Sequence, residues 1–214
     1  MNEPQQPVSK HNSRGEARRR AMLDATWQIL SEKGFAAVTL NDVISRSGGS
    51  RTTLYEAFGG KDGLIASVLT EKCQEFCETL QTSLRSDRPA HEALLNFTII
   101  MTEKGMDDES LRIMNFLQIE MQQFPEIRET FLKNGPDIIT QRVTDFFANH
   151  TENGTLNVVD PDFTARMLLT MIHGQWRDIL VETMPPYKPT QEEIAQRAKQ
   201  LVDLVLNGVL PRTA

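Results

Sequence analysis

The stretch SGGSRTTLYEAFGGKDGL, residues 47–64, contains two pairs of glycines on either side of a short segment that is rich in hydroxyl groups. Glycine readily adopts the left-handed conformation that often follows the last turn of a helix, so each pair predicts a helix end. Ser50 is suited to cap a helix over residues 51–58, and Thr39 is suited to cap one over residues 40–47. The sequence therefore predicts two short helices joined by a tight turn.

Two short helices with this spacing are typical of a helix-turn-helix motif, whose second helix lies in the major groove of DNA. Four residues at the start of the second helix can bind base edges: Ser50, Arg51, Thr52 and Thr53. Three others are suited to binding phosphate groups: Thr39, Tyr55 and Lys61. Leu54 and Phe58 are expected to turn inward and hold the second helix on the first. The same spacing can also arise where short helices merely connect longer ones.

A glycine-rich loop followed by lysine can also bind the phosphates of a nucleotide. That loop needs glycine and a hydroxyl group at fixed positions, which Tyr55 and Asp62 occupy here. No strand pattern precedes the loop either. The sequence therefore argues against a nucleotide-binding site, and we interpret the glycines as breaks between helices.

The rest of the chain has apolar residues at spacings of three and four, without the alternation of strands. Long helices are predicted over residues 14–33, 61–84, 161–184 and 190–207, among others. About nine helices and no sheet predict an all-α fold, in which a helix-turn-helix domain precedes a larger helical bundle.

The net charge of −6 would disfavour a polyanionic partner if it were evenly spread. Residues 1–60, however, carry eight lysines and arginines against six acidic residues, whereas the remaining residues carry fifteen against twenty-three. A basic run precedes the two short helices: Arg14, Arg18, Arg19 and Arg20. The local field decides binding to DNA, although such a run is also typical of a solvated helix face. No apolar stretch approaches the roughly 20 residues of a membrane span, so we expect a cytoplasmic protein without membrane contact.

Residues 18–69 resemble the DNA-binding domain of the tetracycline-repressor (TetR) family. The shared features are an apolar helix with Ala25, the EKGF turn, Thr39, Gly48, the TLY triplet, Phe58, and Lys61 ahead of Leu64. The sequence departs from the usual family pattern at Gly49, Ala57 and Gly60. The resemblance implies that Thr39, Tyr55 and Lys61 bind phosphate and that residues 50–53 line the major groove.

The resemblance also implies a homodimer in which the last two long helices of each subunit form a four-helix interface. Apolar residues suited to that interface are Met167, Leu168, Met171, Ile172, Leu201, Leu204 and Val205. The same residues can instead close the core of one subunit. The implied domains are a disordered tail over 1–13, a helix-turn-helix domain over 14–60, and an effector-binding and dimerisation domain over 61–210.

A hydrophobic effector pocket is one interpretation of the methionines and aromatic residues in the middle helices. The candidate lining residues are Phe97, Met101, Met114, Leu117, Met121 and Phe147, with His173 and Trp176 offering polar atoms. Ordinary core packing accounts for the same residues, and a dimer seam accounts for His173 and Trp176.

The sequence contains no arrangement of residues that is typical of a catalytic site. The four histidines are scattered, and no nucleophile, metal-ligand or dinucleotide motif is present, so we expect no enzyme, metal or cofactor. Cys73 and Cys77 are four residues apart on a predicted helix, which suits neither a relaxed disulfide nor a zinc site. Two ordinary small residues are the preferred interpretation, and a redox switch is the alternative.

Together with the resemblance, these patterns predict a one-component transcriptional regulator, a repressor that a small hydrophobic effector releases from a palindromic operator. Tilting of the helix over 61–84 would change the separation of the two recognition helices and so couple effector to operator. The alternatives are an architectural DNA-binding protein without an effector, and an enzyme or carrier that has kept the helical scaffold.

Overall fold

The computed structural model of the protein describes residues 10–35, 37–85, 87–108, 110–111, 124–174 and 188–209. Its helices are α1 (Lys10–Lys33), α2 (Leu40–Ser47), α3 (Arg51–Phe58), α4 (Lys61–Leu80), α5 (Ala90–Gly105), α6 (Pro125–Asn134), α7 (Pro136–Glu152), α8 (Pro161–Gly174) and α9 (Gln191–Val209). The described ranges contain helices and no strand, which confirms the predicted all-α class. Among these helices, none combines the length and apolar character needed to span a membrane.

Two helix ends differ from the prediction. α1 begins at Lys10, four residues before the predicted start, because polar residues without proline or glycine can extend a helix whose later turns are packed. The predicted tail therefore overlaps α1, and residues 1–9 lie outside the described ranges. α4 ends at Leu80 rather than at residue 84, because the backbone N–H and the hydroxyl of Ser83 both donate to the Leu80 carbonyl oxygen, at 3.1 and 2.6 Å.

The chain divides into two compact units, each with its own hydrophobic core. Unit 1 comprises the described residues up to Lys72 together with residues 124–131, and unit 2 comprises the other described residues. α4 is continuous across this division: its Leu64 and Ile65 belong to the first core, and its Leu80 belongs to the second.

The core of unit 1 holds the two short helices on α1. Val43 of α2 and Leu54 of α3 are fully buried in one cluster with Met22 of α1. Leu54 and Phe58 both turn inward, as their spacing predicted. At the surface, Arg46 of α2 donates two hydrogen bonds to the carboxylate of Glu32 on α1, at 2.9 and 3.3 Å.

The corner between α3 and α4 leaves no room for a side chain at Gly63. An ideal Cβ at that position would overlap the carbonyl oxygen of Phe58, the last residue of α3. Gly59 ends α3 in the left-handed conformation with φ of 74°, and its N–H donates to the Tyr55 carbonyl oxygen at 2.8 Å. Because the obstructing group at Gly63 is backbone, a side chain there could not be accommodated by a change of rotamer.

The core of unit 2 combines α5, α7, α8 and α9 with the end of α4. Four residues that the sequence analysis assigned to a dimer interface are buried in this core instead: Leu168, Ile172, Leu201 and Val205. For these four residues the structure bears out the alternative, in which they close the core of one subunit, because helical spacing identifies the apolar face of a helix but not the neighbour that covers it.

α8 and α9 also carry apolar side chains on their outer surfaces. Phe163 and Met167 of α8 are 58% and 39% exposed, and Leu204 of α9 is 66% exposed. Phe163 and Met167 are four residues apart and so lie on the same face of α8. Of the seven predicted interface residues, Met167 and Leu204 thus lie on the surface, and Met171 is half-buried. Phe163 is a further exposed apolar residue, which the sequence analysis did not include among the interface candidates.

Replacing Gly63 with alanine is expected to lower the free energy of unfolding by about 2 kcal/mol, because the new methyl group would push α4 away from α3. The melting temperature should fall by roughly 4–8 °C, measured by circular dichroism. Gly105→Ala is the matched control, since an ideal Cβ at Gly105 meets no atom within 4 Å. Equal melting temperatures for the two variants would contradict this account of the corner.

Candidate nucleic-acid interface

The first short helix, α2, is capped by Thr39. The backbone N–H of Asp42 donates to the Thr39 hydroxyl oxygen at 3.1 Å, and the hydroxyl donates to the Asp42 carboxylate at 2.7 Å. Thr39 is exposed, so its hydroxyl is accessible to a phosphate. It can give its proton to a phosphate only by leaving the Asp42 carboxylate, because a hydroxyl carries a single proton.

The turn between α2 and α3 lies directly on α1. Gly48 and Gly49 have φ of 72° and 104°, conformations that favour glycine. An ideal Cβ at Gly49 would lie 2.7 Å from Cε of Met22 and 3.4 Å from Cδ of Arg18. Glycine therefore allows the turn to sit against Met22, which is a physical reason for the departure from the family pattern at this position.

The polar groups at the start of α3 have two different roles: some cap the helix, and Arg51 contacts α2. The Ser50 hydroxyl accepts from the backbone N–H of Thr53 at 3.1 Å and lies 2.9 Å from the Thr53 hydroxyl, so this pair caps the helix. Arg51 is exposed, and one of its guanidinium nitrogens donates to Oδ1 of Asn41 at 3.1 Å. Asn41, which the sequence analysis did not single out, thus connects α2 with the Arg51 side chain, the one best suited to bind a base edge.

Tyr55 and Lys61 flank the corner between α3 and α4. Tyr55 is 53% exposed although it lies between buried residues of α3. Gly60, with φ of 130°, lies beneath its ring, since an ideal Cβ there would be 3.4 Å from Cε1 of Tyr55. The Lys61 ammonium lies 4.7 Å from the centre of the Phe35 ring, so the Lys61 side chain packs against an aromatic residue of unit 1.

The basic run on α1 is only partly available to a polyanion. Arg20 binds Asp24 at 3.2 Å and Glu71 at 2.7 Å, so its charge is balanced. The Arg19 guanidinium lies 5.2 Å from the centre of the Phe58 ring. Arg18 is exposed, and its stem lies beside the turn at Gly49. Arg18 is therefore a further candidate for this surface, although the sequence presented it only as one of four similar arginines.

All seven residues predicted to bind DNA lie in unit 1: Thr39 precedes α2, Ser50 precedes α3, and the others lie on α3 or at the start of α4. Their accessible chemistry consists of hydrogen-bond donors and positive charge, to which the N-terminal end of α3 adds its backbone N–H groups. Such a surface is suited to a polyanion that also presents acceptors at base edges.

Four of the eight residues predicted to bind an effector lie within the described part of the chain. Phe97, Met101 and Phe147 are buried in the core of unit 2. His173 is exposed, and its Nδ1 lies 2.7 Å from the Leu169 carbonyl oxygen. Met114, Leu117, Met121 and Trp176 lie outside the described residues. Within the part of the chain that is described, no cluster of histidine, cysteine and acidic side chains could hold a metal ion.

The two cysteines of α4 are both buried and unoxidised. Burial and, to a smaller extent, the neighbouring Cys77 together raise the pKa of the Cys73 thiol to about 12. Burial also raises the pKa of Cys77, although Arg142, which donates a hydrogen bond to the Cys77 carbonyl oxygen, opposes the shift. Thiols protonated in this way are poor nucleophiles, which favours the interpretation that they are packing residues.

The sequence matches known families in both halves. Residues 22–68 match the family described as bacterial regulatory proteins, tetR family. Residues 92–208, more than half of the chain, match the family described as AefR-like transcriptional repressor, C-terminal domain.

Two curated relatives illustrate the extent of the similarity. The HTH-type transcriptional repressor BdcR of Escherichia coli is 38% identical over 93 residues, which cover 41% of this chain and 47% of its own. This chain thus spans about half the length of that repressor. The HTH-type transcriptional regulator YdgC of Bacillus subtilis, itself uncharacterised, is 22% identical over 205 residues, which cover 94% of this chain and 96% of its own.

Solved structures share the whole fold. A TetR-family transcriptional regulator from Mesorhizobium loti superposes with a TM-score of 0.83 at 16% identity, covering 92% of this chain and 99% of that one. The flavonoid-responsive regulator FrrA superposes with a TM-score of 0.77 at 24% identity, covering 92% of this chain and 100% of that one. At these identities the likeness shows the fold alone.

Replacing Ser50 with alanine is expected to lower the free energy of unfolding by about 1 kcal/mol, because the backbone N–H of Thr53 loses its acceptor. Thr52→Ala is the matched control, since Thr52 is exposed in the same helix and does not cap it. Thermal unfolding of the two variants measures the difference, and a Ser50→Ala protein that melts with the Thr52→Ala protein would refute the cap.

Proposed function

Because the chain belongs to the TetR family of bacterial transcriptional regulators, we propose that it binds a palindromic operator as a homodimer and represses transcription until a small hydrophobic effector releases it. Proteins of this family regulate transcription and are not enzymes, as the sequence predicted. A regulator of this kind acts in the cytoplasm, where the operator is.

The observation that carries the proposal is the division of α3 into a buried face and an exposed first turn. Leu54 and Phe58 anchor the helix, whereas Arg51 and Thr52 stand exposed at its N-terminal end. A helix held in this way can enter the major groove with its first turn toward the bases. We assign Arg51 to the O6 and N7 acceptors of a guanine and Thr52 to a thymine methyl group or a base acceptor. Ser50 and Thr53, which cap the helix, line the same groove.

Phosphate contacts would set the register of α3 without reading sequence. We assign this role to Thr39, Tyr55 and Lys61, as the sequence predicted, and add Arg18 because its stem lies beside the turn before α3. Tyr55 and Lys61 are near the C-terminal end of α3, Arg18 is beside the turn before α3, and Thr39 caps the start of α2. Contacts at both ends of the helix would fix its angle in the groove.

The homodimer would form through α8 and α9. Phe163, Met167 and Leu204 expose large apolar side chains on these two helices, whose other faces share the core of unit 2. Pairing α8 and α9 with their counterparts in a second subunit would remove these side chains from water. A twofold dimer presents two copies of α3, which is why the operator is proposed to be palindromic.

The effector would act on unit 2, and α4 would carry its effect. We propose an effector-binding and dimerisation domain over 61–210 and a DNA-binding domain over 14–60. Because α4 is one helix that packs in both cores, a ligand that shifts its C-terminal half would also shift its first turn, where Lys61 lies. FrrA, which shares the fold, is named as a flavonoid-responsive regulator, and this supports an effector of hydrophobic character.

Arg51→Ala is expected to cost roughly 1–3 kcal/mol of binding to an operator selected from random duplexes, and to relax the base preference at one position of each half-site. Lys61→Gln should weaken binding to operator and random duplex alike, and should reduce the slope of log K against log salt by about 1 per subunit. Gel shifts at two salt concentrations measure both effects.

The control for these variants is Lys104→Ala, which removes an exposed cation at the end of α5 in unit 2. It should leave affinity and salt dependence nearly unchanged. Equal affinity of the native protein for every duplex would overturn the sequence-reading role and favour an architectural protein instead.

Met167→Glu and Leu204→Glu are each expected to shift the protein from dimer to monomer, because a carboxylate buried in an apolar interface is strongly unfavourable. Sedimentation velocity measures the change. Val159→Glu is the matched control, since Val159 is 97% exposed in the loop before α8. If both glutamate variants sediment like the Val159→Glu protein, the interface is not formed by these faces.

A further inference from the structure

The side chain of Arg51, at the start of α3, is held by Asn41 of the neighbouring helix α2. Nη2 of Arg51 lies 3.1 Å from Oδ1 of Asn41, and both residues are exposed. An arginine side chain has only donors, so the Asn41 atom that faces it is the amide oxygen. An acceptor on one short helix thus holds the longest polar side chain at the start of the other.

The backbones on both sides of this contact are fixed. Val43 of α2 and Leu54 of α3 are fully buried in the core of unit 1. Each helix also begins after a residue whose side chain caps it, so both first turns are well formed. The long stem of Arg51 can still rotate about several bonds, and the hydrogen bond to Asn41 limits that rotation.

The acceptor that holds Arg51 is uncharged, unlike the acceptors of two other arginines in unit 1. Arg20 and Arg46 each bind a carboxylate, which balances their charge. No carboxylate among the described residues pairs with Arg51. Asn41 therefore orients the guanidinium group without reducing the positive charge that attracts a polyanion.

The guanidinium group of Arg51 can bind Asn41 and a guanine at the same time. It has five N–H donors, four of which form two edges with two parallel donors each. The two hydrogens of Nη2 belong to different edges, so a single hydrogen bond from Nη2 to Asn41 leaves one edge complete. A complete edge matches the O6 and N7 acceptors of guanine, which bind two parallel donors.

We propose that Asn41 is a positioning residue for sequence recognition, which holds Arg51 in the conformation that presents a complete guanidinium edge to a guanine. This inference rests on the proposed function, in which Arg51 enters the major groove. Without Asn41, the Arg51 side chain would have more conformations to lose on binding, and it could bind a nearby phosphate instead of the base. Loss of Asn41 should therefore weaken the choice of base more than the overall binding to DNA.

The test compares the affinity of the full-length protein for two duplexes by fluorescence anisotropy. One is the operator selected from random duplexes, and the other has a single base pair changed at the position where Arg51→Ala relaxes the preference. Asn41→Ala should lower the ratio of the two affinities by about fivefold, the factor that one net hydrogen bond provides. Affinity for a random duplex should stay within about twofold of the native value, because phosphate contacts dominate it.

A double-mutant cycle separates positioning from a merely structural role. In a protein that already carries Arg51→Ala, the additional Asn41→Ala change should not alter the ratio, because no guanidinium group is left to hold. Asn41→Asp keeps an acceptor oxygen and should retain the ratio, although its charge should weaken binding to every duplex. Ser45→Ala is the matched control and should also retain the ratio, since Ser45 is another exposed polar residue of α2.

Three results would overturn the inference: an unchanged ratio for Asn41→Ala, a further fall of the ratio in the double variant, or loss of the ratio in Asn41→Asp. The proposed function would survive each of them, because the native protein would still distinguish the duplexes and Arg51→Ala would still relax the preference. A native protein that binds every duplex equally would instead contradict the proposed function and the inference together. Asn41 is exposed and alanine favours helices, so we expect Asn41→Ala to fold, which circular dichroism verifies.

Discussion

The close approach of the α4 backbone to the end of α3 is the constraint on which the candidate interface depends. At Gly63 the carbonyl oxygen of Phe58 occupies the space that any side chain would need. This contact limits the angle at which α4 can follow α3, and the burial of Leu54 and Phe58 holds α3 in place. Tyr55 in α3 and Lys61 at the start of α4, two of the candidate phosphate ligands, lie on either side of this corner.

Hydroxyl groups of the candidate interface already act as helix caps, and the proposed contacts with DNA would use the same atoms. Thr39 and Ser50 each accept a backbone N–H at the start of a short helix, where the capping bond determines whether the helix forms. Short helices depend strongly on such caps because they have few internal hydrogen bonds. Arg51 and Thr52 are exposed and do not cap α3, so they are the residues that are proposed to read bases. Positioning and recognition are thus assigned to neighbouring residues of one turn.

In unit 2, residue type alone does not identify a ligand site. Methionine and phenylalanine suit an effector pocket and a core equally well, and Phe97, Met101 and Phe147 prove to be core residues. Unit 2 also contains a pocket that these residues do not line, and one of its lining residues, His150, carries a buried nitrogen without a hydrogen-bond partner among the described residues. Sequence reasoning treated His150 as one of four scattered histidines, because its missing partner becomes visible only once its neighbours are placed.

The sequence by itself determined the all-α class, the two short helices with their caps, and the inward turn of Leu54 and Phe58. These features depend on contacts between residues three or four apart, which the order of residues specifies directly. Only the tertiary structure decided that Leu168 and Leu201 close the core of one subunit, that Arg18 stands beside the turn before α3, and that His150 lacks a partner. Each of these features depends on which distant segment packs against a given side of a helix. Helical periodicity predicts that a helix has an apolar side, but it does not predict which segment covers it.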